Sequence, residues 1–205
     1  MKELLLKEYY ANQSTYASTF IFFAITAWVI TDSHQIPSFL SVLFAGIFLF
    51  STTYVDEQNN SHILINSLPV NRRLVIASKY VSGLLVGMLL LILTIVMNAV
   101  IPVNTPLTEM SIALTAAAIM ITIALYYPAY MIFGPRFMGY VFIVVMVGIL
   151  ALAPHIANTN FLDTVTLLLQ QYSTVALITG ITAAAIVILV LSWIISVRVY
   201  VAKQF

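Results

Sequence analysis

The sequence predicts an all-α integral membrane protein with six transmembrane helices, from its composition, its long uncharged runs and the placement of its basic residues. Of 205 residues, 62% are apolar and 7% are charged, whereas soluble domains average about 45–50% apolar and about 25% charged residues. A soluble chain of this size could not cover so much apolar surface, because much of its area stays in contact with water. Disordered chains are excluded as well, since they are rich in charge and poor in apolar residues.

Long uncharged runs define the predicted spans, because a membrane helix needs about 20 mostly apolar residues. Backbone amides cannot stay unpaired in lipid, so each run is predicted to be helical, and none shows the alternation of a β-barrel strand. Pro128 lies inside the fourth span, where we expect a kink. The predicted spans are Tyr16–Thr31, Pro37–Val55, Val81–Ile101, Ser111–Phe133, Phe137–Ala153 and Ser173–Val197.

The basic residues predict the orientation of these spans. If the N-terminus lies inside, all eight Lys and Arg residues are cytoplasmic, and the outside loops hold only the acids Asp32, Glu109 and Asp163. Such a bias is what the positive-inside rule describes. We therefore expect a single multi-pass domain over residues 1–205 in the plasma membrane, embedded in the lipid bilayer, with both termini cytoplasmic.

Two segments outside the spans have some helical character. Residues 1–15 combine Leu and Tyr with Lys and Glu, which predicts an amphipathic helix on the inner leaflet or, alternatively, an N-terminal extension of the first span. The outer segment 154–172 is long for a turn and has apolar residues at helical spacing. A surface-lying or re-entrant helix and a simple extracellular loop both fit that pattern.

The cytoplasmic segment 56–73 is the most informative part of the chain. Asn60 or Ser61 can cap a short helix, its apolar side chains form one face, and Pro69 ends it at Leu68. A helix this short is not stable alone in water, so it must pack against the bundle or a cytoplasmic partner. The alternative is an ordinary connecting loop, but an apolar face in a cytoplasmic loop favours a docking element.

Several kinds of chemistry are not expected in this chain. A phosphate-binding loop requires a Lys after its second glycine, but Tyr140 and Val141 follow Gly139. We therefore expect no catalytic residues and no ATP hydrolysis here. The three His residues are scattered and Cys is absent, so no metal or redox site is expected. A net charge of +1 offers no basic surface to a nucleic acid.

Ionisable residues are also missing from the centres of the predicted spans, which disfavours an ion-coupled carrier. Asn98 is the main strongly polar side chain within a span, and we expect it to form an interhelical hydrogen bond. Gly83 and Gly87 form a G-x-x-x-G pair that predicts close packing, either within the bundle or at a subunit interface.

One face of the second span carries Phe44, Phe48 and Thr52, four residues apart. This face either contacts lipid or lines a cavity. In a cavity, the aromatic rings would suit an amphipathic or apolar substrate.

The stretch 56–80, DEQNNSHILINSLPVNRRLVIASKY, resembles permease subunits of ABC-2 type transporters. In that family an acidic pair ends the second span, a short helix finishes in a Ser-Leu-Pro turn, and an Arg and a Lys-Tyr lead into the third span. The layout of the whole chain is similar too, and its size resembles the small Gram-positive exporter permeases, such as those that export phenol-soluble modulins.

The resemblance implies that residues 61–68 are a coupling helix that docks on a separate ATPase subunit, which binds ATP and Mg. It further implies an assembly of two ATPase subunits with this permease and a second one, as a homodimer or a heterodimer. The residues matched to coupling are Asp56, Glu57, Ser61, His62, Leu64, Ile65, Ser67, Leu68, Pro69, Arg72 and Lys79.

In this family the second and fifth spans line the pathway. The implied lining residues are therefore Phe44, Phe48, Thr52, Tyr140 and Met146. The expected function is ATP-driven export of amphipathic peptides or other amphiphiles. An ion-coupled secondary carrier and a non-transporting membrane scaffold are the alternatives.

The predicted orientation can be tested by cysteine labelling, because the chain has no Cys of its own. We expect a membrane-impermeant maleimide to label Asp163→Cys in intact cells and to label Ser61→Cys only after the membrane is permeabilised. Labelling of Ser61→Cys in intact cells would place segment 56–73 outside and exclude a cytosolic docking partner.

Overall fold

A computed structural model describes residues 2–31, 36–59, 71–100, 107–134, 137–141, 144–145 and 173–202. Within this part of the chain the secondary structure is helical, without strands. The helices are α1 (Lys2–Ala11), α2 (Gln13–Thr31), α3 (Phe39–Gln58), α4 (Arg72–Val100), α5 (Glu109–Phe133) and α6 (Thr174–Ala202).

Helices α3 to α6 are each long and apolar enough to cross a membrane. The prediction of an all-helical, multi-pass membrane protein is therefore confirmed. Helix α2 corresponds to the predicted first span but is not among these four. Most of the predicted fifth span lies outside the described residues, as does the outer segment 154–172. The count of six spans stays a prediction.

Helices α3 and α4 continue beyond the bounds predicted for their spans. Helix α3 runs past Val55 to Gln58, and α4 begins at Arg72 instead of Val81. The predicted second span ends at Val55, before the acidic pair, and segment 56–73 is predicted to be cytoplasmic. In the structure Asp56 stays helical and buried, because it forms an ion pair with Lys79 of α4.

Helices α5 and α6 share the most extensive contact in the bundle, and α3, α4 and α5 all contact one another. Helix α1 packs on α4, and α2 packs on α3. Phe48, Leu49, Leu90 and Ile119 are among the fully buried core side chains. Many apolar side chains on the outer faces are half exposed, as expected of a surface that lipid solvates.

The glycines of α4 lie against neighbouring helices of the same chain. A Cβ atom at Gly83 would lie 3.0 Å from Leu49 Cδ2, and one at Gly87 would lie 2.5 Å from Ile119 Cγ2. Only a residue without a side chain allows α3 and α5 to approach α4 so closely. Packing within the bundle, the first of the two interpretations of this G-x-x-x-G pair, is therefore what the structure shows.

Asn98 of α4 forms hydrogen bonds with the segment that precedes α3, and not with a second helix as expected. Its amide nitrogen donates to the carbonyl oxygen of Ile36 at 3.2 Å, and its amide oxygen accepts from the N–H of Ile36 at 3.1 Å. Ile36 is fully buried and immediately precedes Pro37. The Asn98 side chain thus satisfies both backbone groups of a residue that lies before the start of α3.

Helix α5 passes through Pro128 without ending, and hydroxyl groups of two other helices surround this point. Proline has no N–H, so the carbonyl oxygen of Ala124 loses its helical donor. Ser192 of α6 donates to that oxygen at 2.5 Å, and the Tyr80 hydroxyl of α4 lies 2.7 Å from Ser192 Oγ and 2.8 Å from Ser196 Oγ. In apolar surroundings the freed carbonyl of Ala124 needs a new donor. The hydrogen bonds of Ser192 and Tyr80 at this point therefore connect α5 to α6 and α4.

Gly87→Ala is expected to destabilise the bundle by about 1–3 kcal/mol, because the new methyl group overlaps Ile119. Gly46→Ala is the matched control on α3, since nothing lies within 4 Å of a Cβ added there. The thermal unfolding midpoint of the detergent-solubilised protein measures both effects. Equal midpoints for the two variants would contradict the packing. Adding Ile119→Ala to Gly87→Ala is expected to restore part of the lost stability, because it removes the overlapping side chain.

Ser192→Ala is expected to cost about 1–3 kcal/mol, because it leaves the buried Ala124 carbonyl without a donor. The same substitution is expected to cost much less in a Pro128→Ala background, where the helix regains its own N–H donor. A double-mutant cycle of unfolding free energies measures the difference. Equal costs in the two backgrounds would show that Ser192 does not compensate for the proline.

Candidate functional site

Four charged side chains meet where α1, α3 and α4 come together. Lys79 of α4 forms an ion pair with Asp56 of α3, and its Nζ lies 3.6 Å from Glu8 Oε1 of α1. Lys7 Nζ lies 3.6 Å from both Glu8 Oε1 and Asp56 Oδ1. We call Lys7, Glu8, Asp56 and Lys79 the ion cluster. Its two positive and two negative charges balance.

The ion cluster is largely removed from solvent. Glu8 and Asp56 are each 5% exposed, and the Lys79 side chain is 12% exposed. A buried charge is very costly unless an opposite charge lies close to it. Separation of α1 from α4 would break the contact between Glu8 and Lys79, and separation of α3 from α4 would break the pair of Asp56 with Lys79. The cluster therefore fixes the relative position of these three helices at one end of the bundle.

Tyrosine hydroxyls connect the same region to α5. The Tyr127 hydroxyl donates to the carbonyl oxygen of Lys79 at 2.7 Å, and its ring lies 4.7 Å from the Tyr80 ring between centroids. Thr53 of α3 forms a hydrogen bond with the Tyr126 hydroxyl. Helices α3, α4 and α5 are thus joined by polar contacts close to the ion cluster.

The structure brings together some of the residues matched to coupling. Asp56 and Lys79 pair directly, while Glu57 is exposed at the end of α3. Arg72 donates to the carbonyl oxygen of Val201 at 3.4 Å, which connects the start of α4 with the end of α6. Outside the described residues lie Ser61, His62, Leu64, Ile65, Ser67, Leu68 and Pro69.

The face of α3 that carries Phe44, Phe48 and Thr52 is buried. Rings of α2 cover it, with the Phe23 ring 5.4 Å from that of Phe44 and the Tyr16 ring 4.9 Å from that of Phe48. Within one chain this face therefore contacts α2, not lipid. Tyr140 is 70% exposed, and Met146 lies outside the described residues.

The roles of Lys7 and Glu8 of α1 in the ion cluster were not predicted from the sequence. Segment 1–15 is predicted either as an amphipathic helix on the inner leaflet or as an extension of the first span, and neither prediction places Glu8 inside the bundle, where the structure has it. The missed signal was a polar stripe at helical spacing. Glu8, Asn12, Thr15 and Thr19 are all buried, and Phe23 continues the same face. In a membrane protein the polar face of a helix can turn inward, because its apolar face is solvated by lipid.

The fold and this site define a polytopic helical membrane protein with a buried ion cluster beside the connection between α3 and α4. Over residues 3–201 the sequence matches the family described as ABC-2 family transporter protein, and the chain belongs to that family. It is thus an ABC transporter permease, a class that works with an ATPase partner. No curated protein and no solved structure gives a significant match.

Lys79→Met is expected to destabilise the protein by about 3–5 kcal/mol, because Glu8 and Asp56 would lose the cation between them. Adding Asp56→Asn is expected to restore part of the loss, since Lys7 and Glu8 then remain as a balanced pair. Glu57→Gln, at an exposed position next to the cluster, is the control. Unchanged thermal unfolding of Lys79→Met would show that the ion cluster does not hold the helices together.

Proposed function

We propose that this chain is the transmembrane subunit of an ATP-driven exporter that moves amphipathic peptides or other amphiphiles out of the cell. The observation that supports it is the ion cluster, which joins the two helices on either side of the connection over residues 59–71. A push on that connection reaches α3 and α4 together. The push also reaches α1, because Glu8 of α1 pairs with Lys79 of α4.

In this proposal residues 61–68 form the coupling helix and dock on a cytosolic ATPase. ATP and Mg bind to the ATPase subunits, and closure of those subunits displaces the coupling helix. The displacement switches the pathway between inward-facing and outward-facing states. Nucleotide can drive the switch only if the assembly binds it differently in the two states. Two ATPase subunits, this permease and a second permease of the same or a different kind complete the exporter.

The contacts around the ion cluster support rigid transmission of such a displacement. Tyr127 connects α5 to the Lys79 backbone, and Arg72 connects the start of α4 to the end of α6. A flexible junction would absorb a push, whereas paired charges and satisfied hydrogen bonds resist it. In this proposal Phe44, Phe48 and Thr52 line the pathway only in a state in which α2 has moved away from α3, because rings of α2 cover this face here.

A buried cluster of carboxylates and lysines also favours a second candidate, the ion-coupled secondary carrier, since ionisable groups within membrane proteins mark ion pathways. The cluster lies near the ends of α3 and α4, however, and not at their centres. Substrate uptake into energised inverted vesicles that contain no ATPase would select the carrier. Uptake that requires ATP and the ATPase would select the exporter.

Replacement of both Leu64 and Leu68 by Asp is expected to abolish association with the ATPase, because it places two charges on the apolar face of the proposed coupling helix. The measurement is a pull-down of the tagged full-length variant from its own membranes, followed by identification of a protein with a phosphate-binding loop.

Asn71→Asp is the matched control for this experiment. It adds negative charge to the same connection but keeps the oxygen that accepts from the N–H of Arg73 at 3.0 Å. Both variants are expected to insert into the membrane normally. Recovery of equal amounts of ATPase with the double variant and with the control would contradict the coupling assignment.

A further inference from the structure

A groove of about 520 Å³ lies between the junction of α1 with α2 and the facing side of α4. Helix α2 packs mainly on α3, so the groove separates α2 from α4. At one end the pairing of Glu8 with Lys79 brings α1 against α4. The groove has the size and the mainly apolar lining of sites that bind small molecules.

The lining of the groove changes from polar to apolar along its length. Tyr9, Gln13, Tyr16 and Ser82 contribute phenol, amide and hydroxyl groups at the end near the ion cluster. Helices α2 and α4 then run away from that end side by side. From Gln13 to Phe20 the axial rise is about 10 Å, at about 1.5 Å per residue.

Apolar side chains line the far part of the groove. Phe20 lies on α2, and Leu85, Val86 and Leu89 lie on α4. Val86 is 2% exposed and forms the floor, whereas Leu85 and Leu89 are about half exposed at the rim. Ile92 continues the exposed apolar stripe of α4 beyond the groove. The groove therefore opens onto a surface that lipid solvates.

We propose that this groove binds one acyl chain of a bilayer phospholipid, with the glycerol ester carbonyls at the end formed by Gln13, Tyr16 and Ser82. A lipid in the adjacent leaflet has its polar headgroup and its apolar chains in the same order along the membrane normal as the polar and apolar parts of the groove. Ester carbonyls are uncharged acceptors, and the Gln13 amide and the Tyr16 hydroxyl are uncharged donors, while Ser82 already donates to the carbonyl oxygen of Lys79 at 3.0 Å. The site does not depend on the exporter assignment, because lipid binding requires no ATPase.

The charges near the groove favour an ester over the carboxylate of a free fatty acid. The lining side chains carry no cation. Beside the groove, the ammonium groups of Lys7 and Lys79 already pair with Glu8 and Asp56. A carboxylate would therefore find no free positive charge among the described residues there, whereas an ester needs none.

The test uses the full-length chain in vesicles of phosphatidylcholine that include a fraction with a diazirine midway along one acyl chain. After photolysis, peptide mass spectrometry locates the adducts. Adducts at Phe20, Leu85 and Leu89 are expected to exceed those at Leu125 and Ile132, which are exposed apolar residues on α5. Equal labelling of the two sets would overturn the proposal.

Ala17→Trp fills the groove from its α2 wall and is expected to reduce adducts at Leu85 to the level of the α5 face. Leu125→Trp, the matched control, adds the same bulk outside the groove and is expected to leave them unchanged. If Ala17→Trp does not insert into the membrane, Leu85→Trp is used to fill the groove from its α4 wall. Adducts are then measured at Phe20. Undiminished labelling in the filled variant would overturn the site.

Two further outcomes would assign the groove to another occupant and overturn the proposal. Displacement of the adducts by excess free oleate, at concentrations where extra unlabelled phosphatidylcholine has no effect, would indicate a carboxylate site. Absence of lipid adducts from the groove, together with crosslinked dimers from a variant that carries a photoreactive amino acid at position 85, would indicate a second copy of the permease.

Discussion

The pairing of Lys79 with Asp56 and Glu8 constrains the arrangement of the helices around it. An isolated charge in an apolar interior is strongly unfavourable, so three helices must remain close enough to keep the charges together. This pairing explains why α3 continues past its apolar part and why the N-terminal helix α1 packs on α4. In the proposed exporter, the same constraint makes these helices respond together to a push on the connection between α3 and α4.

Polar side chains supply much of the specificity of this bundle. Lipid gives apolar helices little reason to prefer one partner over another, so hydrogen bonds and close contacts at small residues decide the pairing. Ser192 meets the carbonyl freed by Pro128, Asn98 holds the backbone of Ile36, and Ser41 pairs with Thr94 at 2.7 Å. Each contact joins elements that are far apart in sequence, which explains how a chain with so few charges adopts one arrangement.

The groove beside α4 and the ion cluster occupy adjacent parts of the same end of the bundle. Tyr9 follows Glu8 in the chain, and Ser82 lies one helical turn from Lys79. A displacement that changed the pairing of Glu8 with Lys79 would also change the width of the polar end of the groove. In the proposed exporter, the position of α1 would therefore link the conformational switch to lipid binding in the groove.

The sequence alone predicts the membrane class, the helical structure and approximate bounds for α2, α3, α5 and α6, because apolar composition and run length follow directly from the solvent that the chain must match. It does not predict that residues 72–80 belong to α4. The resemblance over residues 56–80 indicated the ABC-2 family, and the match over residues 3–201 confirmed it. The tertiary structure was needed to show that Glu8 faces inward, that Asp56 and Lys79 meet, and that Ser192 donates to the carbonyl freed by Pro128. These facts depend on which helix faces of distant segments come together, and periodicity within a single helix does not contain that information.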